Sequence, residues 1–163
     1  MKTIRGKVWK FGDSINTDII SPTESHYAAG GEAAVTMAAV RPEFPKNVKP
    51  GDIMVAGRNF GCGSHRESAN MVLRDVGVSA IVAESVARIF FRVSISLAYP
   101  VYVAEGITGI VEDGDTLEID YDQGRVTNVK TGKSVSLTKY PPSIEQIFMA
   151  GGLLPRLKQI LEN

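Results

Sequence analysis

A single cysteine among 163 residues rules out an internal disulfide. It also cannot hold an iron–sulfur cluster alone, which takes about four cysteine ligands. Any such cluster would have to sit on a partner. Histidine is nearly as scarce, with two copies. No histidine or cysteine pair has the local spacing of a zinc site, so no metal ligand set is expected on this chain. Neither sign of charge is in excess: 18 basic residues balance 18 acidic ones. That leaves no global field favouring nucleic acid or an anionic membrane. No apolar run approaches the ~20 residues of a transmembrane helix. The opening "MKTIRGKVWKFGD" lacks the apolar core of a signal peptide, so a cytoplasmic location is expected. Internal repeats and low-complexity linkers are also missing. The length suits one domain, residues 1–163, with a real core.

What is present is a change of texture along the chain. "KVWKF" reads as a short opening strand. "GDSINTDIISPTESHYAAGGEAA" is polar and broken by Pro22, Gly30 and Gly31, and reads mostly as loop. A turn in "VKPGD" leads to a buried strand at about 52–56, then a helix over about 65–76. "SAIVAES" is a second apolar strand. A helix over about 85–97 is ended by Pro100, and "VYVAE" is a third strand. The middle therefore alternates β and α, which favours parallel pairing. Beyond residue 106, short alternating segments and the turns "EDGD", "DQG" and "TGK" read as hairpins. Two helical pieces close the chain, the first with Ser143 as its expected cap. The fold class is α/β, a β-α-β middle joined to an antiparallel hairpin portion.

The densest chemistry lies in "GRNFGCGSHRES", residues 57–68, with three glycines, Cys62, His65, Ser64 and Arg66. Ser64 followed by Glu67 is a capping-box signature, placing Ser64 at a helix N-cap. Gly61 and Gly63 let the backbone approach a ligand and take positive φ. Arg66, expected in the first helical turn, works against the helix dipole unless it serves an anion. Together these describe an anion pocket at a strand-to-helix turn, where open α/β sheets bind ligands. A plainer reading makes the stretch only a tight turn. Two catalytic readings compete: Cys62 as nucleophile with His65 as base, or Ser64 and Arg66 as the active pair with Cys62 as packing. A carboxylate-binding module without catalysis also fits the pocket. The second histidine, His26, falls in the polar loop "SPTESHYAAG".

Three ordered motifs resemble the swivel domain of the aconitase superfamily. "GRNFGCGSHRESA" resembles its "NFGxGSSRE" signature. "WKFGDSINTDIISP" resembles its Asp-Thr-Asp-type loop, and "VAESVARIFFRVSISLAYPV" resembles "SFxRIFxRNxxNxGLP". The length is similar to the short, archaeal-type small subunits of 3-isopropylmalate dehydratase and homoaconitase. The resemblance implies a swivelling β/β/α domain and a hydro-lyase acting on a hydroxy di- or tricarboxylic acid. It implies a large partner subunit that carries a 4Fe–4S cluster, with no cofactor on this chain. Isopropylmalate is the default substrate; homoaconitase or another substituted-malate dehydratase is the alternative. By position, Ser64 matches the serine base, Asp18 an orienting aspartate, and Arg66 the carboxylate-holding arginine. Gly63 and His65 flank them at the substrate. The chain departs from the family at three places. His65 replaces a serine. "PTESHYAAG" replaces a "PGRYLxT" specificity loop, so His26 and Tyr27 stand at recognition positions. "RVSISLAYP" lacks the family's asparagines. A loop over 23–32 is expected to close around the shared site.

Overall fold

A computed structural model describes Met1, residues 3–23 and residues 27–162. Its strands, in chain order, are β1 Ile4–Lys10, β2 Ile53–Ala56, β3 Ala80–Ala83, β4 Val101–Val103, β5 Thr116–Asp120, β6 Arg125–Asn128 and β7 Ser134–Ser136. They form one sheet in the order β4-β3-β2-β1-β5-β6-β7. Strands β1 to β4 pair in parallel. From β1 outward through β5, β6 and β7 the pairing is antiparallel. The α/β fold therefore has a parallel half and a hairpin half, joined at β1.

The burial patterns explain the two halves. Every residue of β2 and β3 is buried, as in strands covered on both faces. In the antiparallel half, β5 alternates buried and half-buried residues, the pattern of a strand covered mainly on one face. Trp9, Met54 and Ile81 point to one side of the sheet, into a core with Phe44, Phe60, Leu73 and Phe90. Val8, Ile53, Val55 and Val82 point to the other, with Tyr102, Leu117, Val126 and Tyr140.

Three short helices, α1 Thr17–Ile20, α2 Gly31–Val35 and α3 Phe44–Asn47, lie between β1 and β2. The longer α4 Glu67–Asp75 and α5 Arg88–Ser96 follow β2 and β3. Helices α6 Pro142–Met149 and α7 Leu153–Leu161 end the chain. Among the described residues no helix is long and apolar enough to cross a membrane.

Three local expectations fail. The segment expected to be mostly loop contains α1 and α2, each a turn or so long and too short to show a helical apolar period. Helix α2 begins at Gly31, inside the expected 23–32 loop. Ser143 is not a cap: Pro141 occupies that position, with Pro142 in the first turn. Proline's fixed φ suits a helix start, so the helix begins two residues early.

Glu84, at the end of β3, ties the parallel half to the short 3₁₀ turn Ile107–Gly109. Its carboxylate accepts from the Gly106 N–H at 2.7 Å, the Thr108 N–H at 2.9 Å and the Thr108 hydroxyl at 2.6 Å. Burial pushes the carboxyl pKa up, but these bonds, led by the Thr108 hydroxyl, bring it below the usual value. A depressed folded pKa gives stabilisation that is complete above the unfolded carboxylate pKa. It is lost as pH falls through the folded value. Glu84→Gln is therefore less stable than the parent at about pH 7, and the gap narrows towards about pH 3. Denaturant titrations at both values check this; an equal gap at each would remove the charge from the account.

Candidate active site

The site forms where the parallel strands end. Loops leaving β1, β2 and β3 are laced together by backbone bonds. The Ser14 N–H donates to Arg58 O at 2.7 Å, and Gly61 N–H to Ile15 O at 2.7 Å. Phe60 N–H donates to Ser85 O at 3.0 Å, and Ala87 N–H to Phe60 O at 2.8 Å. Isolated bridges pair Asn16 with Cys62 and Phe60 with Val86. This places residues 57–66 between the start of α1 and the start of α5, at the carboxyl edge of the sheet.

Within that frame Ser64, Asp18 and Arg66 come together. The Arg66 guanidinium lies 2.6 Å from an Asp18 carboxylate oxygen. It also donates to the Ser21 carbonyl at 2.8 Å and the Thr23 hydroxyl at 3.2 Å. Asp18 reaches this position because Asn16 caps α1, accepting from Ile19 N–H at 2.9 Å. Ser64 is exposed. Its carbonyl accepts from the Thr17 hydroxyl at 3.1 Å, and the two hydroxyl oxygens are 3.4 Å apart. Thr17 is 2 % exposed, and its N–H donates to Cys62 O at 2.8 Å. Either hydroxyl can donate across the 3.4 Å between them. A second layer lies below: Ser21 bonds both Glu32 and Ser68 at 3.1 Å.

The capping box is not formed. Helix α4 starts at Glu67, and Arg66 is its N-cap in an extended conformation, φ −135° and ψ 111°, with no side-chain cap bond. The physical reason is competition. Thr17 takes the Ser64 carbonyl, and Arg66 turns its side chain to Asp18, Ser21 and Thr23. Ser64 thus lies in the bend that precedes the helix, three residues before its first residue.

The glycines are required by packing. Gly63 sits at φ +98° with Thr17 Oγ1 3.1 Å from where a Cβ would be. Cys62, expected as buried packing, is half-buried. It lines a cavity of about 500 Å³ with Asn59, Val86, Arg88 and Ile89. His65 is exposed and lines a separate hollow of about 310 Å³ with Ile89, Arg92 and Val93. Among the described residues Cys62 and His65 share no hydrogen bond, which removes the geometric basis of a Cys–His pair. Tyr27 is 93 % exposed, and His26 lies outside the described residues. Sequence reasoning passed over Thr17, Ser21 and Thr23. Their signal was present, since all three flank Asp18 in "NTDIISPT".

A family model for the aconitase C-terminal domain matches residues 13–99, from the β1 exit to the end of the α5 turn. The chain belongs to the aconitase C-terminal domain family. The matched residues include every site residue whose position is described. Among relatives of this family, the isopropylmalate/citramalate isomerase small subunit of Methanocaldococcus jannaschii is 44% identical over 158 residues, covering 96% of this chain and 94% of that one. The 3-isopropylmalate dehydratase small subunit of Nautilia profundicola is 42% identical over 165 residues, covering 100% and 99%. Among solved structures, that of 3-isopropylmalate dehydratase from Methanocaldococcus jannaschii superposes with a TM-score of 0.89 at 36% identity, covering 98% of this chain and 95% of that one.

An iron–sulfur cluster does not fit this chain's own donors. Cys62 is one cysteine where about four are needed. Among the described residues no three of His, Cys, Asp and Glu gather into a metal site.

Proposed function

We propose that this chain is the small subunit of a 3-isopropylmalate dehydratase, a hydro-lyase completed by a large partner subunit. The observation that carries the reading is the Ser64–Asp18–Arg66 cluster at the carboxyl edge of the sheet. It occurs in a chain that matches small subunits of that name along its whole length. Ser64 Oγ, ionised to the alkoxide before the step, takes a proton from the substrate carbon beside a carboxylate and becomes the neutral hydroxyl that returns the proton on rehydration. The C–H electrons become the alkene as the neighbouring carbon gives up its hydroxyl. Reversing the steps with water added at the other carbon completes the isomerisation. Arg66 holds a substrate carboxylate, which adds directional, charge-assisted bonds. Asp18 positions that guanidinium. Gly63 keeps the backbone low enough for the substrate to reach Ser64. His65 contacts the same carboxylate region as Arg66, and Tyr27 reads the substrate side chain; His26, outside the described residues, is assigned to that reading by its place in the sequence. Departure of the hydroxyl is left to groups outside this chain; a 4Fe–4S cluster held by the large subunit would supply the Lewis acid there.

The test is turnover by the chain assembled with its large subunit, on a panel of 3-isopropylmalate, citramalate and homocitrate. Appearance of the unsaturated acid from 3-isopropylmalate is the expected result. Turnover of none of the three sinks the reading. Turnover of homocitrate alone moves the chain to the homoaconitase class.

A further inference from the structure

Thr17 is 2 % exposed, yet its side chain reaches the atom on which the proposed chemistry turns. Two acceptors of Ser64 lie near Thr17 Oγ1, the carbonyl oxygen at 3.1 Å and the side-chain oxygen at 3.4 Å. Several contacts hold Thr17 in that place. Its N–H donates to Cys62 O at 2.8 Å, and its carbonyl accepts from Ser21 N–H at 2.8 Å. Asn16, next to it, caps α1 and bridges to Cys62. Gly63 has no side chain to push Thr17 away, since a Cβ there would meet Thr17 Oγ1 at 3.1 Å. A β-branched side chain also has few χ1 choices. The oxygen is thus fixed, and only its proton turns, about the Cβ–Oγ1 bond.

That freedom matters once Ser64 loses its proton. An alkoxide has no proton to give, so Thr17 becomes the only donor of the pair. Charge draws the proton towards it, because hydrogen bonds to an ionised oxygen are roughly twice as strong as neutral ones. The 3.4 Å separation belongs to the chain without substrate, and bonds of this kind tighten when the reacting complex forms. Burial of Thr17 lowers the local dielectric on one side of the bond and strengthens it further. The Arg66 guanidinium is bonded to Asp18, Ser21 and Thr23. Among the described residues no hydrogen bond joins it to Ser64, whereas Thr17 touches Ser64 Oγ directly.

We propose that Thr17 is the hydrogen-bond donor that stabilises ionised Ser64. Its proton stays on Oγ1 throughout and turns from the Ser64 carbonyl to the Ser64 side-chain oxygen. Thr17 acts on the substrate only through Ser64 and is therefore a positioning residue. The inference rests on the reading of Ser64 as the proton acceptor of a dehydratase.

One test needs no turnover. In the full chain carrying Cys62→Ala and Ser64→Cys, the thiol at position 64 is the only one, and its rate of alkylation by iodoacetamide against pH gives its pKa. Adding Thr17→Val removes the hydroxyl and keeps the branched shape. The thiol pKa then rises by about one unit, the tenfold effect of one charge-assisted bond. Thr17→Ala gives the same rise, and Thr17→Ser leaves the pKa within about 0.3 units. An unmoved pKa in Thr17→Val and Thr17→Ala overturns the proposal.

The second test uses the chain assembled with its large subunit, with 3-isopropylmalate as the probe. Thr17→Val lowers kcat by at least about tenfold, towards the loss of about 10²–10³ seen when an oxyanion donor is removed. KM moves less than about threefold, and Thr17→Ser recovers most of the rate. A KM that rises as far as kcat falls overturns the proposal, because a displaced Ser64–Arg66 segment loses binding as well as rate. Failure of the dehydratase reading shows separately, as no turnover of any hydroxy acid by the unaltered assembly. The thiol titration then decides on Thr17 alone.

Discussion

Ser64→Ala abolishes dehydration and leaves subunit assembly intact. The expected loss is at least about 10²–10⁴-fold in kcat, the contribution of a positioned proton acceptor. Folding should hardly notice. Ser64 is exposed, and such positions usually change stability by no more than about 0.5 kcal/mol. The Thr17 hydroxyl holds the Ser64 backbone carbonyl, at 3.1 Å, and that bond survives the change. What disappears is the hydroxyl oxygen 3.4 Å from that of Thr17. Thr17 is no base, and His65 lines a hollow on the α5 side. On the proposed reading, serine is activated electrostatically, by the Arg66 guanidinium and groups of the partner subunit. Turnover within about threefold of the parent, measured as formation of the unsaturated acid, would remove Ser64 as the proton acceptor.

Gly61→Ala should do the opposite, striking the fold before the chemistry. Gly61 has φ +73°, and a Cβ there would lie 2.3 Å from Cγ of Phe90 and 2.5 Å from its Cβ. Phe90 cannot step aside. It is 2 % exposed and packs edge-on against Phe60 with ring centroids 5.2 Å apart. The Gly61 N–H is meanwhile committed to Ile15 O at 2.7 Å. The left-handed conformation costs about 1–2 kcal/mol for a residue with a Cβ, and overpacking a further 1–3 kcal/mol. The sum lowers the melting temperature by roughly 5–15 °C for a chain of this size. Gly109→Ala is the control, since its Cβ meets nothing within 4 Å and its φ is ordinary. Equal melting temperatures for the two variants would show that the Phe90 contact relaxes freely.

Much of this was legible before any coordinates. The apolar runs "IMVA" and "AIVA" announce strands buried on both faces, because only such strands can dispense with alternation. Glycine-marked turns after residue 106 announce the antiparallel half. The crowding of Ser64, His65 and Arg66 beside two glycines marked the candidate site, and the motif order pointed to the family. The capping box was legible too, and misleading. Its local pattern was sound, but the Ser64 carbonyl and the Arg66 guanidinium found partners on α1, 45 or so residues away.

By itself, then, the chain of residues determined the alternation of elements, the stretch that holds the candidate site and a cysteine count too low to hold a cluster alone. Those depend on composition and on interactions a few residues long. Only the tertiary structure decided that Asp18 occupies Arg66, that Thr17 carries the Ser64 backbone, and that His65 faces α5 with Arg92. Each of these joins segments separated by more than 20 residues. They are brought together because three parallel strands end on the same edge of one sheet, and no local propensity encodes which loops will meet there.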